Sequence, residues 1–211
     1  MTVHKQRFGI TMRKTAAFLF VMGIASAQPA MAAAIGEPAP DFSGIDTQGV
    51  VHALADYRGS PVVLEWTNHE CPYTIKHYRA GAMQALQKEA RSGGAVWFSI
   101  VSSAPGTQGH VTPDEADELT SGRNAAPTAV IVDADGAIAR AYDAKTTPHM
   151  FVIDPAGKLV YMGAIDDAPS ARGDPAMAHN YVRQALSDLA AQRPIETAAT
   201  QPYGCSIKYA E

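Results

Sequence analysis

Cysteine is nearly absent from this chain of 211 residues, which holds only Cys71 and Cys205. Two sulfurs permit a single internal disulfide, and no Cys-x-x-Cys pair exists to anchor a zinc site. No basic run is present, and the formal charge balance is 17 − 21 = −4. An acidic chain without clustered Lys and Arg argues against nucleic acid and anionic membrane as partners. No apolar run reaches the ~20 residues that a membrane span needs. There is no repeat and no low-complexity tract, and "DADG" and "DPAG" are too short to be calcium loops.

What is present is a globular composition, 46% hydrophobic and 18% charged, on a length that supports one domain with appendages. Lys5, Arg7, Arg13 and Lys14 precede the apolar "TAAFLFVMGIASA", and small residues follow. That order reads as a secretory signal over 1–32, cleaved after Ala30-Met31-Ala32; an uncleaved anchor is the alternative. Cleavage would leave 13 − 21 = −8 and place both cysteines in an oxidising compartment, periplasmic or secreted.

Beyond the signal, Pro, Gly and Asp with short apolar pieces predict a hairpin turning at Gln48-Gly49. "PVVLEWT" (61–67) and "AVWFSIV" (95–101) read as buried strands. Between them, Ile75, Tyr78, Ala82, Leu86 and Ala90 predict one helix running from Cys71 to Gly93-Gly94. Thr112-x-x-Glu115 is a capping box with Pro113 in the first turn. A strand over 128–132, a piece over 137–144 that reads as a short helix rather than the alternative extended segment, and a hairpin over 149–164 follow. A last helix starts at Asp174-Pro175, before an irregular tail. Strands alternating with helices predict an α/β fold with a central mixed sheet covered on both faces. Met83, Met150, Met162 and Met177 are expected to fill the core, and Asp166-Asp167 to lie in a solvated loop.

The chemistry points to Cys71. A cysteine at a helix mouth gains from free N–H groups and the helix dipole, which favour an ionised, reactive sulfur open to solvent. Pro72 stiffens the turn, and the Thr74 hydroxyl is placed to donate to the sulfur. Lys76 and His77 add positive charge, unless the helical rise carries them away. Glu65 inside "VVLEWT" is an oddity: it is either a buried carboxyl that moves protons beneath the thiol or a carboxyl facing a polar loop at the strand's end. Thr147-Pro148 precedes a strand, and its isomer is not legible. His69, His77 and His149 with Cys71 leave a weaker copper-binding reading.

"PVVLEWTNHECP", "TTPHMFVIDPAGKLVYMGAIDD" and "GEPAPDF" together resemble the thioredoxin-like redoxin superfamily, in its peroxiredoxin-like branch with a "YGCSIKY"-type tail. The resemblance covers nearly all of 36–209. It implies a three-layer α/β/α sandwich: an N-terminal β extension (33–60), a redoxin domain (61–192) with a βα insertion at 127–144, and a tail (193–211) carrying Cys205. It implies that Cys71 is the nucleophile, that Glu65 takes the place of the buried thioredoxin aspartate, and that Pro72, Thr147 and Pro148 meet the substrate. Thr74 stands where the second thioredoxin cysteine, or the peroxide-reacting cysteine, would be, so neither ordinary chemistry carries over whole.

Three readings of Cys205 stand: a resolving thiol, half of a permanent disulfide, or an unpaired sulfur. Tyr203 and Tyr209 beside it argue for a docked tail. The expectation is an exported thiol-dependent redox protein with Cys71 as nucleophile, without cofactor. It would act on a disulfide or peroxide with an external thiol reductant. The alternative is a non-catalytic binding module stapled by Cys71–Cys205. Oligomeric state is not legible.

Overall fold

The computed structural model describes residues 1–2 and 32–210. The segment read as a signal, 1–32, lies almost wholly outside the described residues. No helix among the described residues is long and apolar enough to cross a membrane.

The extension forms the expected hairpin, β1 (Ser43–Ile45) antiparallel to β2 (Val51–Ala53). Gly49 turns it at φ +80, in the left-handed region that suits glycine. Strand β3 (Val62–Trp66) then leads into α1 (Pro72–Arg79) and α2 (Ala82–Ser92). After these come β4 (Val96–Val101), α3 (Pro113–Gly122), β5 (Ala129–Val132) and α4 (Ala137–Ala141). The chain closes with β6 (Thr146–Thr147), β7 (His149–Ile153), β8 (Leu159–Gly163), α5 (Tyr181–Ala190) and β9 (Cys205–Ser206).

Five strands make the central sheet, in the order β5-β4-β3-β7-β8. Both neighbours in the β5-β4-β3 half are parallel, whereas β7 and β8 run antiparallel, so the sheet is mixed as expected. Period-two alternation sorts the side chains. Leu64, Trp66, Phe98, Ile100 and Phe151 point to one face, against Phe42, Ile138 and Tyr142. Val63, Trp97, Met150 and Val152 point to the other, against Met83 and Leu86 of α2 and Val182 and Ala185 of α5. The three layers match a thioredoxin-like fold, with α4 and the hairpin as the thinner outer layer.

Three expectations need correction. The helix expected from Cys71 to Gly93 is two helices, because Gly81 takes φ +73, which no continuing α-helix accommodates. The last helix begins at Tyr181, not at Pro175. Pro175–Met177 is an isolated 3-10 turn ended by extended Ala178, and the Asn180 side chain caps α5 by accepting from the Arg183 amide at 2.8 Å. Met177 is exposed on that turn rather than in the core, while Met83 and Met150 are fully buried.

The tail is extended but ordered by backbone bonds. Met162 N–H donates to Ala198 at 3.1 Å and Thr200 N–H to Met162 at 3.1 Å, along the edge of β8. The chain then crosses the end of the sheet. Its strand β9 pairs antiparallel with β6, Thr147 opposite Cys205. Ala104 N–H holds the far end through the Lys208 carbonyl at 2.8 Å.

Candidate active site

Strand β3 delivers the chain to a turn in which the Asn68 side chain accepts from the Glu70 amide at 2.8 Å. Cys71 follows as the N-cap of α1 with extended backbone, and Pro72 fills the first helical position, where its missing N–H is no loss. The sulfur therefore lies over unpaired amides at the positive end of the helix dipole.

Cys71 is fully buried, contrary to the expectation of a sulfur open to solvent. The tail covers it. Its thiol donates to the Thr147 carbonyl at 2.9 Å. Burial by itself would push the Cys71 thiol up. Hydrogen bonding from the Cys205 thiol and the Thr74 amide outweighs this, and the net shift is downward. Cys205, half-buried, moves the other way. Desolvation, then the hydrogen bond to Cys71 and its negative charge, push Cys205 up to about 12. Both sulfurs are free thiols.

The residues read from sequence divide into two groups. Cys71, Thr74, Thr147 and Cys205 meet at one point, and Pro72 and Pro148 flank them, with the Thr147-Pro148 peptide cis. Thr74 contributes through its backbone. Its hydroxyl, expected to donate to the sulfur, is buried with no hydrogen-bond partner among the described residues.

Glu65 is fully buried and apart from the sulfurs in its bonding. It accepts from Tyr78 Oη at 2.7 Å, Gln87 Nε2 at 3.0 Å, Trp97 Nε1 at 2.9 Å and Ser99 Oγ at 2.9 Å. Four neutral donors saturate the carboxyl, and none belongs to Cys71 or its neighbours. Glu65 therefore does not face a polar loop at the strand's end: it is buried, and its bonds tie β3 to α1, α2 and β4.

Lys76 and His77 turn away from Cys71 to a buried cluster that sequence reasoning missed. Asp166, expected in a solvated loop, is 2% exposed, Lys76 7% and His77 1%. The Tyr203 hydroxyl donates to Asp166 Oδ1. Lys76 Nζ lies 3.4 Å and His77 Nε2 3.2 Å from that hydroxyl, and both nitrogens are 3.9 Å from the carboxylate. Burial lowers Lys76 against the pull of Asp166, and brings His77 down to about 4. No local signal marks this cluster, since its members lie on α1, the loop after β8 and the tail.

The histidines do not gather around Cys71 for a metal. His149 Nδ1 accepts from the Lys145 amide at 3.2 Å, and no group of three or more His, Cys, Asp or Glu side chains placed to hold a metal occurs among the described residues.

A family model of AhpC/TSA proteins matches residues 35–162, more than half of the sequence. The chain belongs to the AhpC/TSA family. The AhpC/TSA match includes Cys71 and Thr147-Pro148 and ends before Asp166, Tyr203 and Cys205. No curated protein matches the sequence. Among solved structures, a hypothetical protein of Sinorhizobium meliloti has a TM-score of 0.74 at 23% identity, covering 85% of this chain and 97% of its own. An uncharacterised conserved protein of Geobacillus kaustophilus has a TM-score of 0.72 at 26% identity, covering 84% and 93%. An exposed lipoprotein thioredoxin of Streptococcus pneumoniae has a TM-score of 0.51 at 25% identity, covering 71% and 99%. These likenesses agree with the thioredoxin-like architecture of this AhpC/TSA protein.

Proposed function

We propose that the protein is an extracytoplasmic thiol–disulfide exchange protein in which Cys71 attacks and Cys205 resolves. The observation that carries this reading is the apposition of the two sulfurs across Thr147, with Cys71 shifted to lower pKa and Cys205 up to about 12. The likeness to an exposed lipoprotein thioredoxin and the signal-like residues 1–32 support the location.

The electron flow follows from the split in acidity. The Cys71 thiolate attacks a substrate disulfide; that bond breaks, one substrate sulfur leaves as thiolate and takes a proton from water, and a mixed disulfide forms. Cys71 has then lost its negative charge. Two of the causes that hold Cys205 protonated, the hydrogen bond to the Cys71 sulfur and its charge, vanish together. Cys205 loses its proton and attacks Cys71. The second substrate thiolate departs, and the Cys71–Cys205 disulfide retains the two-electron oxidation. An external thiol reduces it.

Peroxide is a poorer substrate on this reading. Thr74 occupies the place of the peroxide-reacting cysteine, and its hydroxyl makes no hydrogen bond to the sulfur. Turnover of a protein disulfide with a thiol reductant tests the assignment. Cys71→Ser should abolish turnover, and Cys205→Ser should accumulate mixed disulfides on non-reducing gels. Full activity in both variants would overturn it and leave the stapled binding module.

A further inference from the structure

Three consecutive tail residues each meet a feature shaped for that residue type. Cys205 lies opposite Thr147, beside the Cys71 sulfur. Gly204 sits at φ +141, and a Cβ there would collide with the Thr147 carbonyl. Tyr203 places its hydroxyl on Asp166 and its ring 5.2 Å from Lys76 Nζ and 5.8 Å from the Tyr73 ring.

The strand pairing itself is backbone chemistry and carries no side-chain preference. Strand β6 pairs only with β9 among the described residues, so an undocked tail leaves that edge open to another extended segment. The socket beneath Tyr203 does carry a preference. Burying Asp166, Lys76 and His77 costs desolvation, and an apolar side chain would hold a tail without it. The charged arrangement instead rewards a ring that ends in a hydrogen-bond donor. Asp166 Oδ2 is still buried without a hydrogen-bond partner, so the socket has polar capacity that the tail does not use up.

We propose that the tail is a resident pseudosubstrate, and that the Asp166 socket selects extended peptides bearing tyrosine two residues before the reacting cysteine, with glycine between. The chemistry rests on the exchange reading above, whereas the binding preference stands on the socket alone. The substrate cysteine occupies the place of Cys205. The Cys71 thiolate bonds to its sulfur, the substrate's partner sulfur leaves as thiolate and takes a proton from water, and Cys205 resolves the mixed disulfide as the tail returns.

The test uses full-length Tyr203→Ala, which opens the socket, and redox-inert peptides beginning Tyr-Gly-Ser, Phe-Gly-Ser or Ala-Gly-Ser, titrated by calorimetry. The tyrosine peptide should bind more tightly than the phenylalanine peptide by roughly tenfold or more, the factor expected of one hydrogen bond to a buried carboxylate. The alanine peptide should bind more weakly still. Asp166→Asn in the same background should narrow the tyrosine preference. Equal binding of all three, or binding of none, overturns the proposal.

A second arm needs no variant. Wild-type protein is mixed with Tyr-Gly-Cys and Phe-Gly-Cys peptides carrying thionitrobenzoate in a mixed disulfide, and dye release is timed. The tyrosine peptide should react roughly tenfold faster. Equal rates overturn the socket while leaving exchange intact. Selective binding without dye release supports the socket and defeats the exchange reading.

Discussion

Thr147 and Cys205 are register partners in an antiparallel strand pair, and the Thr147 carbonyl also accepts the Cys71 thiol at 2.9 Å. One residue thus positions both sulfurs, one from the mouth of α1 and one from a tail 134 positions further along the chain. The arrangement explains how a protein without a Cys-x-x-Cys motif brings two thiols together. It also makes access to Cys71 depend on tail docking.

Loosening the tail should therefore expose Cys71. Tyr203→Phe removes a hydrogen bond to a buried carboxylate, an interaction worth ~1.5–3 kcal/mol. Alkylation of Cys71 by iodoacetamide should accelerate about tenfold or more in this variant, as 1.4 kcal/mol corresponds to a factor of ten. An unchanged rate would mean that the Asp166 contact does not govern access.

Glu65 should matter for stability rather than for the thiol. Glu65→Gln offers an amide N–H₂ to a shell already made of four donors, and at least one donor loses its acceptor. The expected loss is about 1–3 kcal/mol, read from urea midpoints. The pH profile of Cys71 alkylation should stay in place. A profile displaced by a full pH unit would restore the proton-carrier role.

Acid should weaken the fold as pH falls below 6.5. His77 and His149 are both held down to about 4 by burial. Between pH 6.5 and 4 the unfolded chain binds protons that the folded chain refuses, so stability rises with pH across that window and is lost as pH falls through it. The full effect is up to about 3 kcal/mol for each histidine. Urea midpoints at pH 7 and pH 4.5 should differ clearly, and His77→Gln should shrink the difference. A flat profile would contradict the burial of neutral imidazoles.

Much of this was legible one element at a time. The buried strand "VVLEW", the capping box at Thr112 and the hairpin after Pro148 follow local rules, and each lies where those rules put it. The break at Gly81 was harder. A lone glycine inside an apolar period reads equally as a tolerated helical residue, and only its left-handed φ decides. Asp166 gives no sign of its burial, because a carboxylate in a polar loop carries no mark of it. Its partners Lys76, His77 and Tyr203 come from three separate stretches of chain. The Cys71–Cys205 apposition was legible only as the single pairing that two cysteines permit. Its basis, the β6–β9 pairing, is a two-residue strand with no periodicity to detect.

The central claim is tested most directly by equilibrating the full-length protein in glutathione buffers of graded potential, quenching with acid and alkylating reagent, and mapping thiols by mass spectrometry. The expected result is one intramolecular Cys71–Cys205 link that opens and closes within the glutathione range. Two separately glutathionylated cysteines with no internal link, or a link that survives strong reductant in the native protein, would contradict it.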